Sequence, residues 1–149
     1  MPVCPFCFVD ETQQRVFRKY RWVYIMQSNP SFMPYHMLVI SNQHVAQLAD
    51  LEPEEFSQLW RVAAELQKGF LAYGMGCDIR QNSRPFLKPD QYTVPYHIHI
   101  HVHVIPRLLN DQLYVRVQIH EKALFDERML SIEQMGQEMT ELKRILSAS

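Results

Sequence analysis

The chain has 149 residues, of which 47% are apolar and 21% charged, and its formal net charge is −1. A chain of that length buries roughly 70% of its unfolded surface, and its composition is far from the charge-rich, apolar-poor mixture of disordered chains. Near-neutrality, with no basic run longer than Arg18 to Arg21, argues against a long nucleic acid as partner, and no window approaches the roughly 20 apolar residues needed to span a bilayer.

In chain order, Cys4 and Cys7 come first, in the stretch CPFC, whose two-residue gap suits a metal or a redox pair better than a disulfide framework. With no leader-like opening, a reducing, cytoplasmic setting is expected. Residues 15–26 are rich in Val, Phe, Tyr, Trp and Ile and precede a turn-like SNPS, which predicts one or two strands ending near Gln27. HMLVIS, residues 36–41, predicts another buried strand. From Pro53 the spacing of Phe56, Leu59, Trp60, Ala63, Leu66 and Phe70 predicts an amphipathic helix ending near Gly74.

CDIRQN, residues 77–82, reads as a strand, and the proline-rich residues 83–95 as a loop. LYVRVQIH, residues 113–120, alternates and predicts a further strand. Ser131 and Gln134 resemble a capping box, followed by Ile132, Met135, Met139, Leu142 and Ile145 at helical spacing; these methionines are expected to fill core. The pattern predicts an α+β fold, a single domain over residues 1–149, with a largely antiparallel sheet of about five strands and two main helices.

The segment that carries chemistry is PYHIHIHVHVIPR, residues 95–107. On a strand, alternate side chains share one face at intervals of roughly 6.6 Å, so His97, His99, His101 and His103 line one side while Ile98, Ile100, Val102 and Val104 face the core. Pro106 is expected to end the strand or hold it to an edge. Unpaired imidazoles gain nothing as core filler, so the row points to metal ligation or to phosphate chemistry by an imidazole nucleophile.

HIHVHVIPR, residues 99–107, resembles the His-x-His-x-His-x-x signature of the histidine-triad (HIT) superfamily of nucleotide hydrolases and transferases. The resemblance runs upstream through NPSFMPYHMLVISNQHVAQLADL, residues 29–51, and with CPFC covers roughly residues 4–107. It implies that His101 is the nucleophile attacking an α-phosphate, that His99 and His103 flank it, that His36 supports the triad, and that catalysis requires no cofactor. The VIPR after His103 selects His99, His101 and His103 over His97, His99 and His101.

The resemblance also implies a structural zinc on Cys4, Cys7 and His44, with His97 or His99 as fourth ligand, and a homodimer acting on a small nucleotide. Asn29, Asn82, Gln91 and Thr93 are the candidate substrate contacts. Tyr35 stands where the family usually has glycine, and DQYTVPYHI replaces the usual Gly-Gln-Ser/Thr-Val before the triad. The expected function is cleavage at the α-phosphate of a phosphoramidate or dinucleoside polyphosphate through a nucleotidyl-histidine. The alternatives are a non-catalytic nucleotide sensor and a zinc-binding protein.

Overall fold

The computed structural model describes residues 4–9, 15–83 and 99–148. The chain divides into two compact units, Met1–Asp111 and Gln112–Ser149. The first holds strands β1 (Val16–Lys19), β2 (Val23–Gln27), β3 (Met37–Ser41), β4 (Gly76–Arg80) and β5 (His101–Arg107), with helix α1 (Pro53–Ala72) between β3 and β4. They form an antiparallel five-stranded sheet in the order β1-β2-β3-β5-β4, so the histidine strand is interior.

The period-two alternation of the strands sorts the two faces. Val23, Ile25, Val39, Ile100, Val102 and Val104 pack with Leu59, Val62 and Ala63 of α1 into the main core. Tyr24, Met26, Leu38 and Ile40 point the other way, beneath Phe6 and Val9. In the β3–β5 register Leu38 lies opposite His103 and Ile40 opposite His101, which puts the histidines on that second face. Phe56, expected on the buried stripe of α1, is 43% exposed, and Val62 takes its place at 3%.

Helix α1 begins with Pro53 at its first position and ends where Gly74, at φ 90°, turns the chain and Met75 N–H donates to the Phe70 carbonyl at 3.0 Å. Pro106 lies within β5, past the end of the β3 ladder at Val104, and pairs only with Cys77 of β4, where its missing N–H disrupts nothing central. Arg107 closes the strand. Its guanidinium forks onto Asp111 at 2.6 and 2.8 Å and reaches Asp78 of β4 at 2.5 Å.

The second unit corrects two expectations. Residues 113–120 are not a strand: a π-helical turn over Tyr114–Gln118 runs into α2 (Ile119–Glu127). Alternation in LYVRVQIH needs a partner strand to become a ladder, and the EKAL that follows Ile119 and His120 favours a helix. Helix α3 (Ile132–Ser147) has the predicted capping box, Ser131 N–H to Gln134 Oε1 at 2.9 Å and Gln134 N–H to Ser131 Oγ at 3.1 Å. Its apolar stripe is not core: Ile132, Met135, Met139, Leu142 and Ile145 are 43–85% exposed. Among the described residues, no helix is long and apolar enough to cross a membrane.

Candidate functional site

Three imidazoles meet on the open face of the sheet. His101 and His103 project from β5, and the buried His36, just before β3, reaches across to them. Their hydrogen bonds assign each tautomer. The main-chain N–H of Phe32 donates to His36 Nδ1 at 3.1 Å, so the His36 proton is on Nε2, which lies 3.0 Å from His103 Nδ1. His103 accepts there and carries its own proton on Nε2.

His101 Nδ1 lies 2.8 Å from the carbonyl of His99, which can only accept, so the His101 proton is on Nδ1 and Nε2 keeps a lone pair. Burial is the largest cause of a lowered His101 pKa, so this ring is neutral near pH 7. His36 and His103 are each pushed down to about 4, by burial first and then by neighbouring charge, including Arg80. The row is thus neutral, with one lone pair on His101 that has no partner among the described residues and one N–H on the adjacent His103 ring.

His99 turns elsewhere. Its Nε2 lies 2.8 Å from the Ser41 carbonyl at the end of β3 and donates to it, which leaves the Nδ1 lone pair facing Cys4 Sγ at 3.4 Å and Cys7 Sγ at 3.6 Å. His44 Nδ1 lies 3.1 Å from Cys7 Sγ. All four donor atoms fall within 4.8 Å of one another. A tetrahedral zinc with bonds of about 2.3 Å to sulfur and 2.0 Å to nitrogen sets ligand atoms about 3.3–3.8 Å apart, so these residues fit one. Burial and the adjacent Cys4 thiol raise the Cys7 pKa, a cost that a central cation reverses. The Ser41 carbonyl supplies the outer hydrogen bond that a ligating histidine requires.

A cleft of about 440 Å³ opens over His36, His101 and His103 and is lined also by Asn29, Phe32 and Arg15. Of the candidate substrate contacts, Asn29 lines it. Asn82 sits exposed past β4 and is not among the lining residues. Gln91, Thr93 and His97 lie outside the described residues; among the described residues the fourth donor in the cysteine cluster is His99. Arg15 and Phe32 were not legible as cleft residues: each sits outside any strand, and only the fold brings them to the histidines.

Tyr35 adopts φ 64°. That left-handed conformation is the one glycine takes without cost, which is the physical reason a glycine is usual before the upstream histidine.

A family model described as HIT domain matches residues 9–109 of the chain. The chain belongs to the HIT family. Solved structures similar to this HIT protein include a histidine triad nucleotide-binding protein from Candida albicans, 17% identical, with a TM-score of 0.55 over 83% of this chain and 96% of that one. A zinc-bound histidine triad family protein from Mycobacterium smegmatis is 23% identical, with a TM-score of 0.52 over 66% and 68%. A HIT family hydrolase from Legionella pneumophila is 20% identical, with a TM-score of 0.50 over 69% and 91%. At these identities the likeness concerns the fold, α+β around an open antiparallel sheet.

Proposed function

We propose that this HIT protein is a nucleotidyl hydrolase or transferase that cleaves at the α-phosphate of a nucleotide conjugate, a phosphoramidate or dinucleoside polyphosphate, through His101. The observation that carries this reading is that His101 Nε2, with no hydrogen-bond partner among the described residues, and the Nε2–H of His103 belong to adjacent rings lining one cleft. His101 Nε2 attacks phosphorus, an N–P bond forms, and the bond to the leaving group breaks. The positive charge that develops on the imidazole is steadied by its Nδ1–H on the His99 carbonyl. His103 Nε2–H donates a hydrogen bond to a phosphate oxygen or to the departing atom. Water then hydrolyses the nucleotidyl-histidine.

In this reading His99 positions its neighbour through its carbonyl, and His36 fixes the tautomer of His103. Cys4, Cys7, His44 and His99 hold a structural zinc, which when bound ties residues 4–7 to the end of the sheet, and catalysis itself uses no metal. Asn29 is a substrate contact. The two compact units act as one domain, two copies pair as a homodimer, and the partner is a small nucleotide. The neighbour named for nucleotide binding and the one named a hydrolase support this reading by kinship.

The test is release of nucleoside monophosphate from phosphoramidate and dinucleoside polyphosphate substrates. His101→Ala should lose about 10³-fold or more in kcat while keeping nucleotide affinity within a few-fold. Turnover intact in the variant, or absent from the wild type on every substrate, would leave a nucleotide sensor or a zinc-binding protein as the better description.

A further inference from the structure

The cleft over the histidines has a second end, and it carries a cation that the reaction at His101 leaves unused. Arg15, immediately before β1, lines that end. Its Nε is buried with no hydrogen-bond partner, and among the described residues its guanidinium makes one hydrogen bond, to the main-chain carbonyl of Gln27 at 3.3 Å. A guanidinium has five N–H donors, so among the described residues this one holds donors beyond that single bond beside the cleft.

The sheet order sets the separation. From β5 to β1 there are three strand spacings of about 4.8 Å, so the histidines and the backbone of Arg15 are about 14 Å apart across the sheet. An arginine side chain covers part of that span, and the rest matches a nucleotide from its α-phosphorus to the far edge of its base. Between the two ends the lining includes apolar Met26 of β2, Leu38 of β3, Phe6, Pro30 and Phe32, alongside the polar Ser28, Asn29 and Ser31. A base lies against such a surface, and its polar edge then meets Arg15.

We propose that Arg15 reads that edge and makes the cleft selective for guanine over adenine. The inference rests on the reading that His101 receives the α-phosphate. Its chemistry is that of donors and acceptors. Guanine presents O6 and N7, both acceptors, to a forked donor, whereas adenine sets its N6 amino donor beside N7 and opposes an N–H of the guanidinium. No acceptor on Arg15 is available to answer that amino group.

The experiment compares GMP and AMP morpholidates as substrates, and GMP and AMP as calorimetric ligands, for the wild type, Arg15→Met, Arg15→Gln and Arg15→Lys. The wild type should favour guanine by about tenfold or more in kcat/KM and in affinity. Arg15→Met should bring guanine down to the adenine value and leave adenine within about twofold. Arg15→Gln, whose amide both donates and accepts, should bring adenine level with guanine or above it, and Arg15→Lys should keep guanine ahead. A wild type that treats the bases alike or favours adenine overturns the proposal, as does Arg15→Met weakening both nucleotides equally, or no binding of either. Should Arg15→Met fail to fold by circular dichroism, the contrast between the Gln and Lys variants decides. Guanine-selective binding that Arg15→Met abolishes, without turnover on either substrate, supports the role of Arg15 and overturns only the reaction assigned to His101.

Discussion

The histidines of this chain are told apart by what their second nitrogen touches. His99 donates from Nε2 to Ser41 and so faces the cysteines with Nδ1, whereas His101 donates from Nδ1 to His99 and so presents Nε2 to the cleft. The His36–His103 pair has a measurable signature. Both are held down to about 4, while an unfolded chain has the ordinary value of 6.5. Between those values the unfolded chain takes up protons that the folded pair refuses, so stability falls as pH drops from about 6.5 to about 4, and the pair adds no further loss below. Denaturant titrations from pH 8 to pH 4 should show this fall, on the order of 1–2 kcal/mol after allowance for solvent screening, and a shallower slope in His103→Gln. An equal slope in the variant would assign the acid sensitivity to other groups. Tyr35 makes a separate prediction. At φ 64° and 62% exposed it carries backbone strain that few contacts repay, so Tyr35→Gly should raise the melting midpoint, by up to about 1 kcal/mol of stability. A lower midpoint would mean that the Tyr35 side chain contributes more than its exposure suggests.

Among the elements, β5 joins fold and site because each of its faces has a separate task. Val102 and Val104 anchor it to α1, so the histidines on the reverse are held by packing that their own chemistry does not supply. Leu59 of α1, fully buried against that layer, tests the dependence. Leu59→Ala should cost about 2–5 kcal/mol in chemical denaturation, while the protein that remains folded at low temperature keeps its turnover. A cost under 1 kcal/mol would show that α1 repacks freely behind the strand. α1 was readable because its apolar spacing, Pro53 and Gly74 agree with one another. Residues 113–120 were misread because an alternating β-branched run has no intrinsic answer without a neighbouring strand, and α3 has helical spacing whether or not its stripe is covered.

For the molecule as a whole, the cysteine cluster ties residues far apart in sequence. Cys4 and Cys7 meet His44 and His99 across the N-terminal segment, the loop after β3 and the start of the histidine strand. A zinc there closes long loops of chain, so chelation should lower the melting temperature by several degrees, and metal analysis should find about one zinc per chain. Turnover at low temperature should survive the chelator if His101 alone performs the chemistry. Rate loss that tracks zinc loss without unfolding would transfer a catalytic role to the metal. The same calorimetric scans address the proposed single domain, for which one transition is expected and two would divide the chain at Asp111.

What the sequence by itself determined is what local periodicity and side-chain chemistry encode: a strand with imidazoles on one side and β-branched residues on the other, a long helix, and thiols spaced for a metal, whereas the interior place of that strand came from the sheet order. The proposal of His101 as nucleophile starts from its position within HIHVHVIPR, a motif short and continuous enough for the family resemblance to be seen in the sequence. Only the tertiary structure decided that His99 turns from the triad to the cysteines, that His36 donates to His103, and that Arg15 stands at the far end of the same cleft. The first two depend on partners far away in sequence, the Ser41 carbonyl 58 positions from His99 and His103 67 positions from His36, and a hydrogen bond between distant segments leaves no period for a sequence to show.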